Sequence, residues 1–76
     1  MKNFIEVTQT INLDLRNSIN IKQSIQVSAI ENFYTTYEHS KPSYTRICFS
    51  NGYGYIDVHE SYQEVKDLIA KAMSTQ

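Results

Sequence analysis

A strict alternation of apolar and polar residues occupies the first third of the chain. Between residues 5 and 15 every odd position except Gln9 is isoleucine, leucine or valine, and every even position is polar or charged. Residues 16–18 are of turn-forming types, and the alternation resumes over residues 19–27. Because successive side chains of a strand point to opposite faces, the pattern predicts an antiparallel hairpin with one apolar face.

Two glutamines, Gln9 and Gln23, interrupt the apolar side of this hairpin. A buried amide needs hydrogen-bond partners. We therefore expect both side chains at a fraying edge of the hairpin, or in contact with each other or with another chain.

The middle of the chain reads as three further strands. Residues 28–30 predict a short turn that places Ile30 in the core, and residues 32–38, 44–50 and 53–58 alternate in the manner of strands. Residues 39–43 contain the single proline and predict a loop.

The C-terminal segment predicts one amphipathic helix. Ser61 and Glu64 have the spacing of a capping box. The residues that follow at helical spacing form one apolar stripe, namely Val65, Leu68, Ile69 and Ala72. The predicted fold is a single α+β domain over residues 1–76, in which a bent antiparallel sheet of about five strands, built from hairpins, packs its apolar face against the C-terminal helix.

Both glycines of the chain lie at residues 52 and 54. They share only G-x-G with the dinucleotide-binding fingerprint, and no Gly-Lys-Ser/Thr follows as a Walker loop requires. Asn51-Gly52 between two alternating segments is instead typical of a hairpin turn. The sequence predicts a turn here and not a phosphate-binding loop.

Residues with catalytic or metal-binding chemistry are few. Asp57, His59 and Glu60 lie just before the helix, where acidic residues are favoured by the helix dipole. A metal site needs at least three converging ligands, and His39 joins them only if the 39–43 loop folds back. Cys48 would need a nearby histidine to become a nucleophile. We expect no catalytic residue, no metal and no cofactor, and a protein that is not an enzyme.

The charge, the cysteine content and the apolar runs of the chain bear on its partners and its location. Seven basic and eight acidic residues give a formal net charge of −1, and the basic residues are scattered singly. Nucleic-acid-binding domains normally carry a basic patch, so nucleic acid is disfavoured as a partner. A lone cysteine without a signal-peptide pattern predicts a cytoplasmic protein. No apolar run approaches the length of a membrane span, so no membrane association is expected.

An outer aromatic face is predicted on the side of the sheet away from the core. We define it as Tyr34, Tyr44, Arg46 and Tyr55, which have the parity opposite to the core residues of their strands; Tyr53 shares that parity. Such a face can stack single-stranded bases, form a protein interface, or only stabilise the sheet through cross-strand pairs. The scattered basic residues favour an interface over nucleic acid.

The first hairpin carries more apolar surface than the helix can cover. A helix of this length spans ~18 Å, whereas an eleven-residue strand spans ~36 Å. The excess residues form a candidate interface, namely Ile11, Leu13, Leu15, Ile19 and Ile21. A small core also favours association. We predict a self-associating interaction or regulatory module, most simply a homodimer, with an unidentified protein partner as an open possibility.

Four segments between residues 24 and 70 carry a family resemblance, namely the 44–52 strand and turn, the 55–61 strand end, the 64–69 amphipathic segment and the 24–31 strand and turn. In these segments the chain resembles the FlbD-like family of small bacterial proteins. The hairpin around residues 11–21 is longer than the family's short turn. The family implies no cofactor and no catalytic residues.

Overall fold

A computed structural model of the protein describes residues 3–52 and 54–74. The elements in chain order are β1 (Phe4–Asn12), β2 (Ser18–Gln26), a 3₁₀ helix (Val27–Ala29), β3 (Ile30–Glu38), β4 (Lys41–Phe49), β5 (Tyr55–Val58) and α1 (Tyr62–Ser74). The strands form one antiparallel sheet in the order β2-β1-β5-β4-β3. The predicted α+β class, with a five-stranded antiparallel sheet and one C-terminal helix, is confirmed.

The sheet is strongly bent. Its two edges are β2 and β3, yet only the three residues of the 3₁₀ helix connect them. In a flat sheet of five strands the edges would lie about 19 Å apart, because neighbouring strands are separated by about 4.8 Å. Three residues reach only ~11 Å. The sheet therefore curls so that its edges approach each other, and the apolar side chains lie inside the curl.

The core occupies the concave side of this sheet under the helix. Its fully or nearly fully buried members are Ile5, Val7, Ile25, Ile47, Val58 and Val65. Val65 is the helix residue among them, and Leu68, Ile69 and Ala72 pack around it as partly buried neighbours. This confirms the apolar stripe predicted from the sequence.

The helix runs along one half of β1 only. It begins where Glu60 hydrogen-bonds to Thr8, and near its end the Asn3 side chain lies 3.7 Å from the sulfur of Met73. The helix therefore covers residues 3–8 and points away from the turn that joins β1 to β2. The far half of the hairpin extends beyond the helix.

The capping box is present as the sequence predicts. The Glu64 N–H donates to the Ser61 hydroxyl at 3.1 Å, and the Ser61 N–H donates to the Glu64 carboxylate at 3.1 Å. These two bonds satisfy backbone donors that the first turn of a helix otherwise leaves unpaired.

The predicted end of the first strand is wrong. β1 ends at Asn12, and residues 13–17 form the turn, so Leu13 and Leu15 belong to the turn and not to the strand. The reason is local hydrogen bonding. The Asp14 carboxylate accepts bonds from the N–H groups of Arg16 and Asn17, and the turn begins three residues earlier than the alternation suggests.

The predicted 39–43 loop is also wrong. His39 and Ser40 form a two-residue turn with φ of 52° and 64°, and β4 begins at Lys41. Positive φ at both positions is the geometry that joins two twisted strands most directly. Pro42 is tolerated in β4 because β5 ends opposite Thr45, so no strand on that side needs the missing N–H.

The turn predicted at Asn51-Gly52 joins β4 to β5, which confirms the hairpin but with a longer loop. Five residues, 50–54, separate β4 from β5, and the Phe49 N–H donates to the carbonyl of Gly54 at 3.0 Å across this loop. Gly52 and Gly54 adopt φ of 80° and 91°, a region that glycine enters without strain. The fifth strand begins at Tyr55, and Tyr53 lies outside the described residues.

The two glutamines on the apolar side of the hairpin do not face each other. Gln9 lies opposite Ile21 and Gln23 lies opposite Val7. Gln23 is exposed and Gln9 is half-buried, so water reaches both positions. Exposure therefore accommodates their polar groups, although Gln23 is the cross-strand neighbour of the buried Val7.

Candidate functional site

The five predicted interface residues lie together at the free end of the β1–β2 hairpin, which we call the apolar tip. The exposed fractions of four of them are 38% for Ile11, 62% for Leu13, 103% for Leu15 and 46% for Ile19; Ile21 is half-buried. Ile11 lies directly opposite Ile19. Single exposed apolar residues are ordinary on protein surfaces, whereas a contiguous group of them marks a contact site.

The apolar tip is a continuation of the core face of the sheet. Ile11 follows Ile5 and Val7 at alternate positions of β1, and Ile19 precedes Ile25 at alternate positions of β2. Alternate residues of a strand share a face. The face that is buried under the helix at Ile5 therefore emerges into solvent at Ile11, where no helix lies over it.

The turn of the hairpin holds Leu13 and Leu15 in a defined arrangement. Besides the N–H groups of Arg16 and Asn17, the Asp14 carboxylate accepts a bond from the Asn17 side-chain amide, and the Leu13 N–H donates to the Asn17 carbonyl at 2.8 Å. The bonds that the carboxylate accepts from Arg16 and Asn17, first of all that from the Arg16 N–H, lower the pKa of Asp14 below its usual value. The apolar side chains of the turn are thus presented by an ordered backbone.

On the opposite side of the sheet, three members of the predicted outer aromatic face meet. Tyr34 on β3 lies opposite Arg46 on β4. The guanidinium carbon of Arg46 stands 3.9 Å from the ring centroid of Tyr55. Cation–π contact of this kind fixes both side chains against the sheet.

Arg46 is also paired with Asp57, which the sequence had suggested only as a neighbour of His59 and Glu60. Its Nε and a terminal nitrogen donate to the two oxygens of Asp57 at 2.9 and 3.2 Å. The bond to Asp57 is the main reason that the pKa of Arg46 lies above its ordinary value. The pairing follows from register: a two-residue turn at Asn51-Gly52 already implies that Arg46 and Asp57 are opposite, so the sequence contained this signal.

Tyr44 precedes Arg46 by two residues on β4. It lines a shallow depression of about 290 Å³ together with Thr10, Asn12, Asp57 and His59. The exposed fractions of Tyr34, Tyr44 and Tyr55 are 44%, 46% and 54%. The structure therefore brings Tyr34, Arg46 and Tyr55 together and places Tyr44 beside a polar depression toward β1.

The two acidic residues and the histidine before the helix each contact a different residue. Asp57 pairs with Arg46, His59 contacts the hydroxyl of Thr10, and Glu60 bonds to Thr8. Within residues 3–52 and 54–74 no group of three His, Cys, Asp or Glu side chains is arranged to hold a metal. His39 lies in the turn between β3 and β4. The cluster that adjacency in sequence suggested is dispersed over separate contacts.

Cys48 is a free, half-buried thiol on β4, opposite Asn32 on one side and Tyr55 on the other. It belongs to the outer side of the sheet with Arg46, as the alternation predicts. Among the described ranges, no helix has both the length and the apolar character needed to cross a membrane.

Comparison with protein-family models, curated proteins and solved structures finds no match to this chain. The resemblance to FlbD-like proteins stays a prediction.

Proposed function

We propose that this chain is a non-enzymatic protein-interaction module that associates with itself through the β1–β2 hairpin. The observation that carries the proposal is the apolar tip, where a core-forming sheet face continues past the helix into solvent. Leu13 and Leu15 are 62% and 103% exposed on a turn that Asp14 holds in place. A group of exposed apolar side chains on an ordered turn is stabilised when a partner covers it.

A second copy is the simplest partner for this surface. A homodimer with a two-fold axis brings the same patch of both copies together, so one apolar surface can cover another of identical composition. A chain of this size also has a thin core that association would support. A different protein partner would need its own complementary apolar surface.

Nucleic-acid binding through the outer aromatic face has weaker support. Three exposed tyrosines are suitable for stacking bases. However, the one arginine of that face already donates to Asp57 and lies over Tyr55. Its charge is balanced locally, so the face lacks the positive potential that attracts phosphates.

As a location we propose the cytoplasm, where the free thiol of Cys48 would stay reduced.

The test is the solution mass of the protein from micromolar to millimolar concentration, by light scattering or sedimentation. We expect a dimer or larger assembly that dissociates on dilution. Leu13→Gln with Leu15→Gln should shift the protein toward monomer without loss of fold, because both side chains are exposed in a turn. The matched control is Tyr37→Gln, which changes an apolar side chain of 68% exposure on β3. A wild-type monomer at every concentration would refute the proposal.

A further inference from the structure

The outer edge of β2 carries unpaired backbone groups. β2 is the terminal strand of the sheet, and no described strand pairs with its other side. The bonds from the Val27 N–H to Asn3 and from the Leu13 N–H to Asn17 show that odd-numbered residues of the hairpin are hydrogen-bonded within it. In an antiparallel pair the intervening residues direct their N–H and C=O groups outward. On β2 these are Ser18, Asn20, Lys22, Ser24 and Gln26.

This edge differs from the opposite edge of the sheet. β3 has irregular register between Ile30 and Asn32 and again between Thr35 and Tyr37. Bulges of this kind twist an edge away from other strands and protect it from pairing. β2 keeps an unbroken register with β1 over nine residues and contains no proline. Lys22 is its single charged residue, so the edge is largely unprotected.

We infer that β2 pairs antiparallel with β2 of a second copy, about a two-fold axis at Asn20, to join the two sheets into one. This inference rests on the proposed self-association and specifies how it occurs. The far half of β2 is favoured, because Ile25 near the other end is buried in the core beside the helix-covered half of β1. Residues 18–21 lie opposite residues 9–12, in the part of the hairpin that extends beyond the helix, and Lys22 lies opposite Thr8 at the boundary of the covered part.

The side chains of β2 select this register among the alternatives. An axis at Lys22 would set two like charges directly opposite each other, which is destabilising. An axis at Ile21 would place each Ile19 against a glutamine. An axis at Asn20 places Ile19 of each copy opposite Ile21 of the other, so two apolar cross-strand pairs form on the face that carries the apolar tip.

Charge and hydrogen bonding agree with the same register. Lys22 of one copy comes opposite Ser18 of the other, so no like charges face each other across the axis. Ser18, Asn20 and Lys22 would exchange about six backbone hydrogen bonds across the axis, since the outward-facing residues of both strands form the bonded pairs. Burial of Ile19 and Ile21 would then protect these bonds from water.

A proline at the axis tests the backbone pairing. Asn20→Pro removes an N–H that β1 does not use, and proline is tolerated on an edge strand. Asn20→Ala is the matched control, because it also loses the bond from the Thr10 hydroxyl to the Asn20 side chain but keeps the N–H. We expect Asn20→Pro to weaken self-association roughly tenfold or more and Asn20→Ala to change it little.

A cysteine pair tests the register independently of proline tolerance. In a Cys48→Ala background, Asn20→Cys would lie opposite its own copy, with Cα atoms about 5.5 Å apart, within disulfide range. Ser24→Cys faces the same edge but would be separated from its copy by about 26 Å along the strands. We expect mild oxidation to produce a covalent dimer of the first variant and not of the second.

The outcomes separate this inference from the proposed function. If Asn20→Pro still dimerises and Asn20→Cys forms no covalent dimer, edge pairing is wrong while self-association stands. Efficient cross-linking at position 24 would overturn the register. A protein that is monomeric at all concentrations would overturn both proposals.

Discussion

The Glu60 carboxylate accepts two hydrogen bonds from Thr8, one from its backbone N–H at 2.8 Å and one from its hydroxyl at 3.0 Å. The Thr8 carbonyl accepts from the His59 N–H at 2.9 Å. β5 ends at this point, so a side chain replaces the next strand residue as the partner of β1. This arrangement joins the entrance of the helix to the first strand.

Replacement of Glu60 by alanine should destabilise the fold. It leaves a part-buried backbone N–H and a hydroxyl without their acceptor, a loss of about 1–3 kcal/mol in the free energy of unfolding. Urea denaturation followed by circular dichroism measures this change. Glu31→Ala, at an exposed position of β3, is the control and should fall within about 0.5 kcal/mol of wild type. Equal stability of the two variants would show that the Glu60–Thr8 bonds contribute nothing.

Asp14 should make stability depend on pH in the acidic range. Hydrogen bonds from the turn lower its pKa below the ordinary value of 3.8, so the folded state binds its proton less readily than the unfolded chain. The stabilisation is fully present above that ordinary value and is lost as the pH falls through the lowered pKa of the folded state. The stabilities of the wild type and of Asp14→Ala, measured by thermal unfolding, should differ at neutral pH, begin to converge as the pH falls below about 4, and meet only below the lowered pKa of the folded state. A constant difference at all pH values would contradict the role of the carboxylate.

Ser40 offers a test of the short turn between β3 and β4. Its φ of 64° is unfavourable for a residue with a Cβ. Ser40→Gly should therefore raise the free energy of unfolding by about 1 kcal/mol. Ser43→Gly, in the strand that follows, should lower it, because glycine weakens a strand interior. Destabilisation by both substitutions would favour an extended loop over the two-residue turn.

The outer aromatic face should not bind single-stranded nucleic acid measurably. Fluorescence anisotropy with a labelled oligonucleotide at low and high salt tests this expectation, because phosphate contacts weaken as salt rises. Asp57→Asn would release Arg46 from its ion pair and should increase any residual binding. Salt-sensitive binding by the wild type that Tyr55→Ala abolishes would establish the nucleic-acid function in place of the proposed one.

Several features of this protein follow from local sequence alone. Alternation in residues 5–12 and 19–25 determines which side chains of the first hairpin face the core. The Ser61–Glu64 spacing determines where the helix begins, and the Asn51-Gly52 turn determines that Arg46 and Asp57 are opposite. These features depend on periodicity and on contacts between residues close in the chain, so neighbouring residues specify them without reference to the rest of the fold.

The tertiary structure alone decided the order of the strands and the position of the helix. The central place of β5 beside β1, the use of Glu60 as a partner for Thr8 and the exposure of the apolar tip all depend on segments more than forty residues apart. The alternation of apolar residues continues to Leu15, but β1 ends before Leu13 because Asp14 forms hydrogen bonds within the turn. Periodicity determines which face of a strand is apolar, but which element covers that face depends on the free energy of packing summed over the whole chain.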